Sequence, residues 1–367
     1  MRVTILVLLL CMAPGIHAGG SELRGVMQHL ADSLLALIPI VQNKDLEQDR
    51  FRTEVRRLKG YIHQAENHFE DQPISARITY GMLRERIDNV ASLSSDNSLI
   101  TARSILSESM ELCASCHTRD GKSRPGFGIS RLHELDEFQA AEFSFLSRDY
   151  GSALTSYKNF LAADADDSYR RSLALDRVLA ITTEIYGDFD TGSQVLKELK
   201  LVSDSEKIRV ASWQSVFSKL KNQSSLASPM TPRNIQEMDQ FLIRDWPSIQ
   251  SFLNWNEQQA YWMLIRRKLN TLLENSLDAG DVPILLYWQA VADRSTHFQF
   301  YDSLSRRYLE RCMREYPRHP FARRCFDEFE LLMIVSFSGS GGINIPVEVR
   351  KEINELRRIV YGSESGL

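Results

Sequence analysis

Residues 113 to 117 read Cys-Ala-Ser-Cys-His, and these five positions carry the most specific chemistry in the chain. On a helix, positions i and i+3 lie on one side of a single turn, so both sulfurs share a face and the next residue adds an imidazole. Two thiols so placed can each form a thioether, while the imidazole ligates an iron: this is the attachment pattern of haem c. With five Cys and eight His in 367 residues, chance produces this spacing about once in several hundred such chains. A structural zinc site would need four ligands, and no second Cys-x-x-Cys or paired His stands nearby. A dithiol redox site would want an α/β context, and the pattern around the motif supplies none.

The elements that must position this motif read as helices. From residue 21 onward spacing of three and four recurs and a period of two does not, which predicts an all-α chain. The first helix is expected over about Ser21 to Gln42, with Leu23, Val26, Met27, Leu30, Leu34, Leu37, Ile38 and Val41 on one stripe and Pro39 kinking or ending it. The second, about Leu46 to Phe69, aligns Phe51, Val55, Leu58, Ile62, Ala65 and Phe69. The third starts at Pro73 and carries Ile78, Met82, Ile87 and Val90; proline suits a first helical position. The fourth starts near Asp96-Asn97-Ser98 and carries Leu99, Ala102, Ile105, Leu106 and Met110 towards Cys113, those polar residues being good caps. Four amphipathic helices joined by short links suggest an antiparallel bundle, and Gly121 to Gly128, with Pro125, marks its boundary.

The motif ends the fourth helix of this set, and there residues 20–120 resemble the class II cytochromes c, the cytochrome c prime family. That resemblance implies a four-helix bundle holding one covalent haem c on Cys113, Cys116 and His117. Low-spin members take a sixth ligand from a Met on the first helix, close after an Arg; Leu23-Arg24-Gly25-Val26-Met27 matches that place, making Met27 the candidate ligand and Arg24 a haem-side residue. Ordinary core packing is the other role open to Met27. Without it the iron is five-coordinate and open to a small gas; the family contains both kinds. His29, His63 and His68 lie off the apolar stripes and read as surface residues. Arg119, Lys122, Arg124 and Arg131 could pair with haem propionates or form a solvated loop.

Beyond the boundary, Ala141, Tyr150, Ala153, Tyr157 and Leu161 follow the spacing of a tetratricopeptide unit, and Gly187-Asp188-Phe189, Gly192, Leu196 and Leu199 repeat it 39 residues later. Residues 131–222 thus resemble tetratricopeptide repeats in spacing, with Gly192 standing where Ala is preferred. A polar link from Asn222 to Arg233 leads into residues 233–367, a further helical region with Trp246, Trp255, Trp262 and Trp288, read as core or as a partner groove. Its last helix pair turns at Tyr316 to Pro320, a glycine-serine loop spans Ser338 to Gly342, and Pro346 to Tyr361 forms a capping helix. Cys312 and Cys325 flank the turn almost symmetrically and are expected to form a disulfide.

Residues 1–18 read as a signal peptide: Arg2, then an apolar run, then His17-Ala18 before Gly19-Gly20. The run is too short to span a bilayer, so the mature protein is expected to be exported, to the periplasm or an equivalent compartment, without an integral membrane segment. Loss of Arg2 with the leader takes the formal charge from −4 to −5, which gives no reason to expect nucleic acid. No phosphate-binding glycine loop, HExxH helix or nucleophile elbow is present, so no enzyme is read. The expected function is a monohaem cytochrome passing single electrons, its repeats docking a protein redox partner. A haem-based gas sensor and a scaffold for an extracytoplasmic redox complex are the alternatives.

Overall fold

The computed structural model describes residues 18–42, 47–95, 98–118, 132–163, 167–222, 228–274, 278–296 and 302–362, and among them the chain is all-α apart from one short hairpin. The leader reading falls largely outside the described residues.

Helix α1 spans Ala18–Gln42, α2 Gln48–Gln64, α3 Ile74–Ser95 and α4 Leu99–Thr118. Each packs on its neighbour in sequence, and α1 also touches α4. The predicted stripe of α2 is its core face: Phe51, Val55, Leu58 and Ile62 are all buried. Pro39 lies inside α1 without ending it. So close to the helix terminus it forfeits a single main-chain bond, and Ile38, Ile40 and Val41 around it are buried. The second helix stops at Gln64, short of the expected Phe69. The chain tightens there into a 3₁₀ turn, Glu66–His68, and Phe69 stacks on Tyr80 with ring centroids 4.2 Å apart.

Next come α5 (Glu137–Leu146), α6 (Tyr150–Ala162), α7 (Ser168–Ala180), a π-helical segment at Ile181–Tyr186, α8 (Phe189–Lys197) and α9 (Asp204–Asn222). Aspartates start four of these helices: Asp136, Asp149, Asp167 and Asp188 each accept a bond from a backbone N–H of the first turn, satisfying donors that a helix start leaves over. The residues that set the repeat spacing, Ala141, Tyr150, Ala153, Tyr157, Leu161 and Leu196, are buried. Gly192 has a steric reason: a Cβ there would lie 2.8 Å from the Phe217 ring.

The remainder is α10 (Ile235–Gln240), a second π-helical segment (Phe241–Asp245), α11 (Trp246–Gln250), α12 (Trp255–Glu274), α13 (Val282–Thr296), α14 (Leu304–Glu315), α15 (Pro320–Ser336) and α16 (Val347–Tyr361). Between the last two, the expected loop closes into a hairpin of β1 (Ser338–Gly339) and β2 (Gly342–Ile343), in register Ser338 to Ile343. Trp246, Trp262 and Trp288 are core residues, whereas Trp255, at the start of α12, is 67% exposed. Cys312 and Cys325 form the expected disulfide, with Cα atoms 6.4 Å apart, joining α14 to α15.

The first four helices do not stand apart from the rest. Helix α5 packs on both α1 and α4, and α14 packs on α3. At the second contact Arg86 Nε meets Asp302 Oδ2 at 2.9 Å, and Arg307 pairs with Glu85 at 2.5 Å. Among the described residues no helix is long and apolar enough to cross a membrane.

Candidate cofactor-attachment site

Helix α4 presents Leu99, Ala102, Leu106, Met110, Leu112 and Ala114 to the core, so its register is set by burial along its length. That register carries Cys113, Cys116 and His117 into its last turns, all three half-buried. Cys113 packs against the core, and neither thiol is disulfide-bonded. Burial first, then the neighbouring Cys116 and Glu111, push the Cys113 thiol up to about 12. A thiol held protonated in this way is a poor nucleophile for disulfide exchange, which argues against the dithiol redox reading.

His117 reaches out of α4 to the next helix. Its Nδ1 donates to the backbone carbonyl of Leu146, the last residue of α5. A carbonyl only accepts, so the proton sits on Nδ1, and in the neutral ring the lone pair is on Nε2. This is the tautomer and the outer hydrogen bond that a metal-ligating histidine requires.

Two residues ahead of Cys113, Glu111 receives the guanidinium of Arg177 from α7, Nη1 to Oε2 at 2.8 Å. The same guanidinium meets Glu142 of α5, Nε to Oε1 at 3.1 Å, and Glu142 accepts from the Tyr157 hydroxyl. Arg177 and Glu142 are both buried, and Arg177 also lies over the Phe145 ring, 4.8 Å from its centroid. Burial works against the Arg177 charge, but Glu111 and Glu142 outweigh it and raise its pKa well above the arginine norm. Burial, then the Glu142 charge, raise Tyr157 well above the usual phenol range and keep it a donor. Ser115, between the two cysteines, lines a small cavity with Arg266, Asn270, Gln289, Asp293, Leu304 and Tyr308. There Arg266 donates to Glu184 at 2.7 Å and to Thr296 at 3.1 Å.

The other expected site residues are placed as follows. Met27 is half-buried on α1, which packs on α4; Arg24 is exposed. His29 is exposed and stacks on Tyr61, centroids 4.9 Å apart, and His63 sits 3.0 Å from Asp88, both as surface residues. Arg119, Lys122, Arg124 and Arg131 lie outside the described residues. Sequence reasoning missed Glu111, Glu142, Arg177 and the Leu146 carbonyl, which hold the motif from outside. Glu111 could have been noticed as a carboxylate beside the motif; its partners lie far along the chain and have no local signal.

Among the described residues no three His, Cys, Asp or Glu side chains gather into a group that could hold a metal ion. The chain matches no protein-family model, no curated protein and no solved structure.

Proposed function

We propose that residues 20–120 form a cytochrome c prime-like four-helix bundle carrying one covalent haem c, and that the exported protein transfers single electrons while its helical repeats dock a protein redox partner. The observation that carries this reading is the motif at the end of α4, with its imidazole held through Nδ1 by Leu146.

The donor set fits the group. Cys113 and Cys116 are half-buried, outside any disulfide, and spaced for two thioethers. His117 is held in the tautomer that offers Nε2 to a metal. Met27 is the candidate sixth ligand, on a helix that packs against α4. A bound haem supplies reversible one-electron chemistry at iron, and a His/Met ligand pair favours a raised potential and a carrier role. The chain's own contribution is to hold the group through redox cycling, fix the imidazole through Leu146 of α5, and keep the attachment turn half-buried.

A gas-binding sensor is the second reading. The His117 to Leu146 bond favours it, because a change at the imidazole would be felt directly by the repeat region.

The test is the visible spectrum of the exported protein, oxidised and reduced, with a pyridine haemochrome assay. Covalent haem with a weak ferric sulfur-to-iron band that disappears in Met27→Ala supports the carrier. Covalent haem with a high-spin ferric spectrum and tight nitric oxide binding supports the sensor. Absence of covalent haem overturns both.

A further inference from the structure

The last turn of α5 leaves one carbonyl over. A helix end has four carbonyls without an intrahelical partner. Here Phe143 accepts from the Ser147 N–H at 2.9 Å, Ser144 from Asp149 at 2.9 Å and Phe145 from Arg148 at 3.2 Å. The last two bonds are the pair that defines a Schellman cap. The remaining carbonyl belongs to Leu146, and it accepts from His117.

The direction of that carbonyl depends on the turn that follows. Arg148 has φ 69°, and among the described residues no other non-glycine residue has a positive φ. Helices usually place Gly at this cap position, because a Cβ is strained there. A second tie keeps α5 against α4. One turn before Leu146, Glu142 shares Arg177 with Glu111 of α4, so the acceptor and the histidine are held in one frame.

We infer that the α5 cap is a positioning device that sets how strongly His117 donates to the iron, so that the repeat region governs the potential of the haem domain. The inference rests on the haem reading above. A carbonyl that accepts the Nδ1–H raises the basicity of Nε2. A more basic axial imidazole favours ferric over ferrous iron, and second-shell hydrogen bonding is a recognised means of setting a haem potential. Loosening the Leu146 carbonyl therefore moves the midpoint potential upward.

The test compares the full-length haem-loaded wild type with Arg148→Gly and Arg148→Val. Glycine keeps the left-handed turn without strain, whereas β-branched valine resists it. Midpoint potentials are measured by spectroelectrochemistry, and solvent exchange of the His117 Nδ1 proton by NMR of ¹⁵N-histidine-labelled protein. Arg148→Val is expected to shift the potential upward and speed the exchange, with Arg148→Gly matching wild type. Haem-loaded Arg148→Val with unchanged potential and exchange overturns the inference and leaves the haem reading standing. If Arg148→Val does not fold, wild type decides: slow exchange supports the bond, and exchange as fast as an open imidazole overturns the inference. A wild type without covalent haem overturns the haem reading and the inference with it.

Discussion

Arg177 of α7 holds Glu111 of α4 through two guanidinium nitrogens, the Nη1 to Oε2 bond being 2.8 Å, two residues before the first cysteine of the motif. Because the same side chain also pairs with Glu142 of α5, three helices meet at one buried cation. The α4 turn that carries Cys113 and His117 is therefore tied to α5 and α7.

Removing that cation leaves two carboxylates facing each other in a buried site. Arg177→Met is expected to cost about 3–5 kcal/mol, the usual penalty for orphaning a buried charge, read as a lower midpoint in urea or heat unfolding. Adding Glu142→Gln should recover part of the loss. Equal stability of wild type and Arg177→Met would show that the network is not structurally important.

The attachment residues are tested separately from stability. Cys113→Ala with Cys116→Ala should fold with the helical content of wild type and carry no covalent haem. His117→Ala should keep the thioethers and lose the normal axial ligation, visible as an altered Soret band. Covalent haem retained by the double cysteine variant would remove the basis of the proposed function.

Much of this was legible in the sequence, for reasons that are local. The stripes Phe51, Val55, Leu58, Ile62 and Leu99, Ala102, Leu106 follow from helical geometry and became buried faces. The motif spacing is a property of one turn, and Cys312 and Cys325 stand symmetrically about a turn. The network around the motif was not legible, because Arg177 lies 35 residues from Glu142 and 66 from Glu111. Nothing in the neighbourhood of any one of the three names the others. The Leu146 carbonyl is backbone and leaves no mark on residue type at all. Trp255 misled because a tryptophan in a helical pattern reads as core, whereas helix α12 begins there and leaves the ring in solvent.

Gly192 was visible only as a departure from the repeat spacing, and the structure turns it into a prediction. A Cβ placed 2.8 Å from Phe217 must displace an aromatic ring that is itself buried. Gly192→Ala should therefore destabilise by about 1–3 kcal/mol, the cost of overpacking, although alanine is the better helix former. Phe217→Leu should relieve the clash when combined with it; strictly additive losses in the two single variants and the double would argue against contact as the cause.

The disulfide closes the α14–α15 hairpin across a sequence separation of 13. Cys312→Ser is expected to lower stability by about 3 kcal/mol in the chain-entropy account, and to leave the visible spectrum as it is, since neither Cys312 nor Cys325 lines the pocket that Ser115 of α4 shares with α14. A changed Soret band in this variant would show that the hairpin supports the proposed haem site directly.

Glu310 supplies the pH dependence. It lies on α14 beside Arg306 and Arg307 and faces Glu352 of α16, whose carboxylate Arg306 also binds at 2.7 Å. Burial, and next to it the proton shared with Glu352, outweigh the two arginines and raise the Glu310 carboxyl from 4.5 to about 7. The folded state therefore holds a proton that the unfolded chain releases first, so between these two values the native form binds more protons and stability falls as pH rises. The contribution is fully present below about 4.5 and gone above about 7; integrated, it amounts to at most about 3 kcal/mol. Glu310→Gln keeps the hydrogen-bonding shape without the titration. Urea unfolding at pH 5 and pH 8 should show wild type losing stability at the higher pH and Glu310→Gln losing less. A slope that is the same in both proteins would assign the pH dependence to other groups.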